Sequence, residues 1–177
     1  MAGKTIIAPA SALGRGGVSV IRMSGDHSKQ IAEAMCGSLA ESWKFKKCKI
    51  RSSEGQVLDS GMVVFFESPN SYTGEDVVEF HCHGNPAIVN LILEDAVNRG
   101  ARVAEPGEFT KTAFLNDKID LAQAESVADL INAQSKSAII AAGSSLSGEF
   151  SSKVDSVVEG LITVSYTHLR AHETGYN

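Results

Sequence analysis

Aromatic residues make up only 6% of this 177-residue chain, and cysteine occurs three times without a CxxC spacing. A secreted disulfide scaffold and a zinc ribbon both require paired, patterned cysteines, so the composition excludes both. Cys36, Cys48 and Cys82 are expected to be reduced thiols of a cytoplasmic protein. No apolar run approaches the ~20 residues that span a bilayer. The opening MAGKTIIAPASALG has too short an apolar stretch for a signal peptide. Positive charge is not in excess either: a formal net charge of -5 argues against a broad nucleic-acid-binding surface. The one dense basic run, KFKKCKIR (Lys44–Arg51), reads best as a solvated edge strand, where lysines discourage sheet-to-sheet pairing. Motifs of turnover are missing as well. No GxSxG elbow occurs. Gly143–Gly148 mimics the start of a phosphate loop, but Glu149 stands where the lysine belongs and no strand precedes it.

What is present suits an ordinary core. Hydrophobic residues are 43% and charged residues 21%, enough for one domain, or one with part of another. Ile6–Ala8 is a short apolar run ended by Pro9. After the turn Gly14–Gly17, residues 18–24 alternate with the strand period: Val18, Val20 and Arg22 on one face, Ser19, Ile21 and Met23 on the other. Residues 28–36 predict a short helix with Ile31, Ala32 and Met35 inward and Gly37 as its stop. Residues 45–52 and 57–66 predict two strands about a turn at Ser53–Gly55. Residues 76–83 predict another, with Val78, Phe80 and Cys82 inward and Glu79, His81 and His83 outward. Asn85-Pro86 starts a helix, its apolar stripe read as Ile88, Leu91, Ile92 and Ala96. Arg102–Ala104 is a short strand, and Glu108–Leu115 a short segment after the Pro106-Gly107 turn.

The pattern changes after residue 118. Asp120 and Gln123 form a variant capping box. Ile139, Ala142, Leu146, Phe150, Val154, Val157 and Leu161 then trace one long amphipathic helix. Its stripe needs cover that this chain does not offer, which implies further sequence or an oligomer. The fold class is therefore α+β over residues 1–118, followed over 119–163 by the first helices of an all-α domain. The last stretch differs again. Val164–Thr174, VSYTHLRAHET, resembles a translated transposase-type sequencing adapter. With Tyr176 it holds two of the 3 Tyr, and it holds two of the 5 His. Residues 164–177 are expected to be an artefactual tail, foreign to the natural protein.

Some residues break the pattern around them. Arg22 shares a face with Val18 and Val20, so it is either in a salt bridge or placed for an anionic ligand such as a carboxylate. Glu79 shares one face of its strand with His81 and His83. A metal at His81 and His83 lacks a clear third ligand beyond Glu79 or Glu75, so a hydrogen-bonding carboxylate in a polar pocket is the better reading. Gly14–Gly17 fits a tight turn before a strand better than an anion nest.

Three strings then carry a resemblance: PASALGRGGVSVIRMSG (Pro9–Gly25), PNSYTGEDVVEFHCHGNP (Pro69–Pro86) and RVAEPGEFTKTAFLNDKIDLAQAESVADLI (Arg102–Ile131). In this order and spacing, the chain over about residues 4–163 resembles the N-terminal part of the MnmE (TrmE) family of tRNA-modification GTPases. The resemblance implies a folate-binding, aminomethyltransferase-like domain that forms a homodimer, then a helical domain interrupted by a GTPase domain. It implies 5-formyltetrahydrofolate or 5,10-methylenetetrahydrofolate as ligand. It also implies the flavoprotein MnmG as partner and the wobble uridine of tRNA, modified at carbon 5, as substrate. GTP, Mg and K belong to the GTPase domain, which these residues lack. Matching the family's motifs residue by residue assigns Arg22, Glu79 and Lys118 to folate; no catalytic residue and no metal ligand is assigned. His81–Pro86 departs from the Gln-Gly-His-Gly-Gly-Pro of many relatives. The alternative is a stand-alone, non-enzymatic folate-binding and dimerisation module.

Overall fold

The computed structural model describes residues 5–173, with side chains through residue 165. It divides into two compact units, Met1–Lys118 and Ile119–Asn177. The first is built on a six-stranded sheet in the order β3-β4-β5-β2-β1-β6. Its strands are β1 (Ile6–Pro9), β2 (Gly16–Ser24), β3 (Lys46–Arg51), β4 (Val57–Phe66), β5 (Val77–Gly84) and β6 (Arg102–Val103). All neighbouring pairs are antiparallel except β1 and β6. Lys46–Arg51 of the basic run thus form the edge strand β3, with Lys47, Lys49 and Arg51 outward, alternating with buried Cys48 and Ile50.

One sheet face is covered by helices α1 (Ser28–Cys36) and α2 (Pro86–Asn98). Ile21 and Met23 of β2, Phe80 of β5, Val63 of β4, Met35 of α1 and Ile92 of α2 meet there with almost no exposure. Burying side chains of this size stabilises by about 1.5–3 kcal/mol each. The period-2 alternation that fills this face with apolar groups places Arg22, Glu79 and His81 on the opposite one. In α2, Asn85 caps by accepting from the Ala87 N–H, as its sequence predicts. The buried stripe, however, is Val89, Ile92 and Ala96, while Leu91 is exposed. The expected stripe holds at Ile92 and Ala96, with Ile88 partly buried against the core; Val89, not Leu91, completes it.

Helix α3 (Glu108–Leu115) ends the first unit. Glu108 opens it and is chelated by the Arg102 guanidinium on β6, one pair at 2.8 Å, and it also accepts the Glu105 N–H at 2.8 Å. The hydrogen bonds from Arg102 are the main reason its carboxyl is held down at about 2.

The second unit consists of α4 (Leu121–Asn132), α5 (Lys136–Leu146) and α6 (Glu149–Glu173). Asp120 and Gln123 form a full capping box at the start of α4. The same two residues reach further: Gln123 Nε2 donates to the Leu146 carbonyl at 3.0 Å, and Ser151 Oγ donates to Asp120 Oδ2 at 2.6 Å. The expected single helix through residues 139–161 is therefore two. Gly148 has φ 85, a left-handed conformation that ends α5 and that glycine adopts without strain. Ala142 is buried, but Phe150, Val154, Val157 and Leu161 remain exposed. Helix α6 continues through Val164 to Glu173; side chains from residue 166 and residues 174–177, most of the adapter-like tail, lie outside the described part. Among the described residues no helix is long and apolar enough to cross a membrane.

Candidate functional site

On the sheet face away from α1 and α2, β2 and β5 run antiparallel with Arg22 directly opposite Glu79. Cross-strand neighbours on one face lie close enough for side chains to pair. Arg22 Nε and Nη2 both donate to Glu79 Oε1 at 2.8 Å. The salt-bridge alternative for Arg22 is thus realised, but only one carboxylate oxygen is used. Glu79 Oε2 points toward His81 Nε2 at 3.5 Å, beyond a hydrogen bond. That imidazole nitrogen is buried and has no partner. Arg22 also lies over Tyr72, its guanidinium carbon 5.0 Å from the ring centre.

Above this pair is a cleft of about 500 Å³, within the range of small-molecule sites. Arg22 and Glu79 line it with Lys118, so the three residues singled out in the sequence converge on one cavity. Trp43, Phe66 and Tyr72 supply aromatic wall. These three escaped the sequence reading because they sit on loops or at a strand end, where periodicity carries no signal. The chain's single Trp, alone in a polar stretch, was the available hint.

The loop 67–76 shapes the rim. Ser24 Oγ joins Thr73 Oγ1 and Glu75 Oε2, each at 2.7 Å. Asn116 Nδ2 donates to the Thr73 carbonyl at 2.8 Å, and Lys118 Nζ to the Pro69 carbonyl at 2.9 Å. Gly74, at φ 79, lets the Lys118 stem pass: a Cβ there would stand 3.1 Å from Lys118 Cγ. The turn after α3 thereby brings Lys118 to the cleft. Trp43, on the loop between α1 and β3, donates its backbone N–H to the Phe65 carbonyl at 2.8 Å, and its ring packs edge-on against Phe66.

Among the described residues no group of three or more His, Cys, Asp or Glu is gathered at one point. His83 pairs instead with Asp59, Nδ1 to Oδ1 at 2.8 Å. Burial would raise the Asp59 carboxyl, but the hydrogen bonds from His83 and Ser60 outweigh it and hold it below the usual range. Cys82 is buried, and burial pushes its thiol up to about 11.

Chemically, the cleft offers two cations, one carboxylate with a spare oxygen, and aromatic faces. No Cys or His is among its lining residues. Cationic, carboxylate and aromatic groups thus line the same cavity.

The comparisons with known proteins agree in register with this unit. The family described as "GTP-binding protein TrmE N-terminus" matches residues 5–118. A "tRNA modification GTPase MnmE" of Neisseria gonorrhoeae is 51% identical over 160 residues, 90% of this chain and 36% of that protein. Proteins of the same description from Nitrosomonas eutropha and Polaromonas naphthalenivorans are 50% and 45% identical, over 89% and 93% of this chain. The chain spans 35–36%, about a third, of the length of these relatives. With 51% identity to relatives and a family match across the whole sheet unit, the chain belongs to the MnmE (TrmE) family and carries its N-terminal region.

Proposed function

We propose that the cleft binds a tetrahydrofolate derivative, 5-formyltetrahydrofolate or 5,10-methylenetetrahydrofolate. The observation that carries this is the convergence of Arg22, Glu79 and Lys118 on one aromatic-walled cavity. Glu79 Oε2, not engaged by Arg22, accepts from ring and amino N–H groups of the pterin. Lys118 and Arg22 attract the glutamate carboxylates. Trp43, Phe66 and Tyr72 take the ring faces. When bound, the folate supplies a one-carbon unit; the protein residues hold and orient it.

We also propose that this region, as part of a longer protein, serves modification of the tRNA wobble uridine at carbon 5, as a homodimer working with MnmG. Alone, the chain is proposed to bind folate without hydrolysing GTP, because Gly143–Gly148 ends a helix and is followed by Glu149.

Calorimetric titration of 5-formyltetrahydrofolate tests the reading. Saturable binding is expected, weakened by about 1–3 kcal/mol in Arg22→Ala, the scale of a charge-assisted contact. Undetectable binding by the folded chain, or GTP hydrolysis by the pure chain, would refute the respective assignments.

A further inference from the structure

The loop that brings Trp43 to the cleft begins and ends beside a pair of thiols. Cys36 is the last residue of α1, and Cys48 is the third residue of the edge strand β3. Their sulfurs lie 3.3 Å apart, and both are free. Cys36 is half-buried at the margin of the fold, whereas Cys48 faces the core. Between them the chain leaves the helical layer and crosses to the opposite sheet face. There Trp43 packs against Phe66, and Phe45 sits edge-on to His81 with ring centres 5.0 Å apart. Lys46 Nζ closes the base of this loop by donating to the Ser38 carbonyl at 2.6 Å.

We propose that Cys36 and Cys48 are a redox modification site: a hydroperoxide joins them in a reversible disulfide that clamps the loop 37–47 and thereby tightens the cleft that Trp43 lines. The disulfide needs the sulfurs to approach from contact to the ~2.05 Å of a bond, which side-chain rotation and a small shift of the edge strand can supply. The chemistry balances with hydrogen peroxide as oxidant. The Cys48 thiolate attacks one peroxide oxygen, an S–O bond forms, the O–O bond breaks and hydroxide leaves as water. The Cys36 sulfur then attacks Cys48, the S–S bond forms, the S–O bond breaks and a second water carries away the Cys36 proton. Two thiols are oxidised by two electrons and one peroxide is reduced to two waters. The shared hydrogen bond favours this order: it raises Cys36 and lowers Cys48, and the nearby Lys46 charge lowers both. Cys82 has no thiol neighbour and serves as an internal control.

Coupling to ligand affinity rests on the proposed folate reading; the modification itself does not. A clamped loop loses less freedom when a ligand settles against Trp43, so the oxidised form binds several-fold more tightly. The test treats the folded, reduced chain with hydrogen peroxide, removes the peroxide, unfolds the chain in guanidinium chloride, blocks remaining thiols with iodoacetamide and maps peptides by mass spectrometry. A Cys36–Cys48 cross-linked peptide with Cys82 alkylated is expected. A shift in emission of the single tryptophan, reversed by dithiothreitol and absent in Cys36→Ser, should accompany it. Alkylation of both thiols after peroxide, or separate sulfinic acids without a cross-link, would overturn the site. A cross-link with unchanged Trp43 emission would overturn the clamp. Absence of 5-formyltetrahydrofolate binding in both redox states, with the cross-link and emission shift intact, would refute the ligand reading and leave the redox site standing.

Discussion

Removing the Arg22 guanidinium strands a carboxylate, and the size of the effect follows from the surroundings. Arg22 and Glu79 side chains are 26% and 14% exposed, so the pair is neither a surface ion pair nor a fully buried one. Surface pairs contribute about 0–1 kcal/mol, whereas breaking a buried pair costs about 3–5 kcal/mol. Two 2.8 Å contacts to one oxygen and partial exposure place this pair between those limits, at about 2 kcal/mol. Loss of the cation–π contact with Tyr72 adds about 0.5–1 kcal/mol. Arg22→Ala should therefore destabilise the first unit by about 2–3 kcal/mol. Adding Glu79→Gln removes the stranded charge and should restore about 1 kcal/mol of that loss. Urea unfolding of the wild type, both single variants and the double variant, followed by far-ultraviolet circular dichroism, measures the cycle. An Arg22→Ala variant within 0.5 kcal/mol of wild type, or a coupling energy near zero, would show that Glu79 does not depend on Arg22 and that this account of the site's electrostatics is wrong.

Other consequences are as direct. The Glu108 carboxyl, held at about 2 against an ordinary 4.5, contributes stability that is present above pH 4.5 and lost as pH falls through about 2. Glu108→Gln should then be less stable than wild type at neutral pH, with the gap closing across that window; a gap independent of pH would contradict the assignment. Gly61→Ala puts a Cβ 2.2 Å from the His81 carbonyl oxygen on the neighbouring strand, so about 1–3 kcal/mol of stability should be lost in denaturant titrations, and a neutral result would mean that β4 and β5 are not paired this closely. Lys118→Ala, whose ammonium is held by one backbone carbonyl, should lower folate affinity while leaving stability within about 0.5 kcal/mol, since it breaks no buried ion pair.

The strands were legible because alternation decides which face is buried: Ile21 and Met23 could not share a face with Arg22, and Phe80 could not share one with Glu79. The caps at Asn85 and Asp120 were legible because their chemistry is local. The break at Gly148 was not, because α5 and α6 continue the same apolar spacing on either side of it and only backbone conformation separates them. The α2 stripe was misplaced because Ile88, Val89, Leu91 and Ile92 offer two overlapping stripes, and only the packed sheet chooses between them. Arg22, Glu79 and Lys118 stood out individually, but that they line one cleft depends on the turn after α3 passing Gly74. Trp43 reaches the cleft through a non-periodic loop, itself at φ 67. The approach of Cys36 to Cys48 was equally hidden: no spacing rule joins the end of a helix to the middle of an edge strand.

The most direct test uses the chain's own probe, since its single Trp, Trp43, lines the proposed site. Titrating 5-formyltetrahydrofolate while recording tryptophan emission, corrected for ligand absorbance, should give saturable quenching with the same midpoint as the calorimetric heat. Binding heat without any change at Trp43 would place the ligand elsewhere and contradict the site described here.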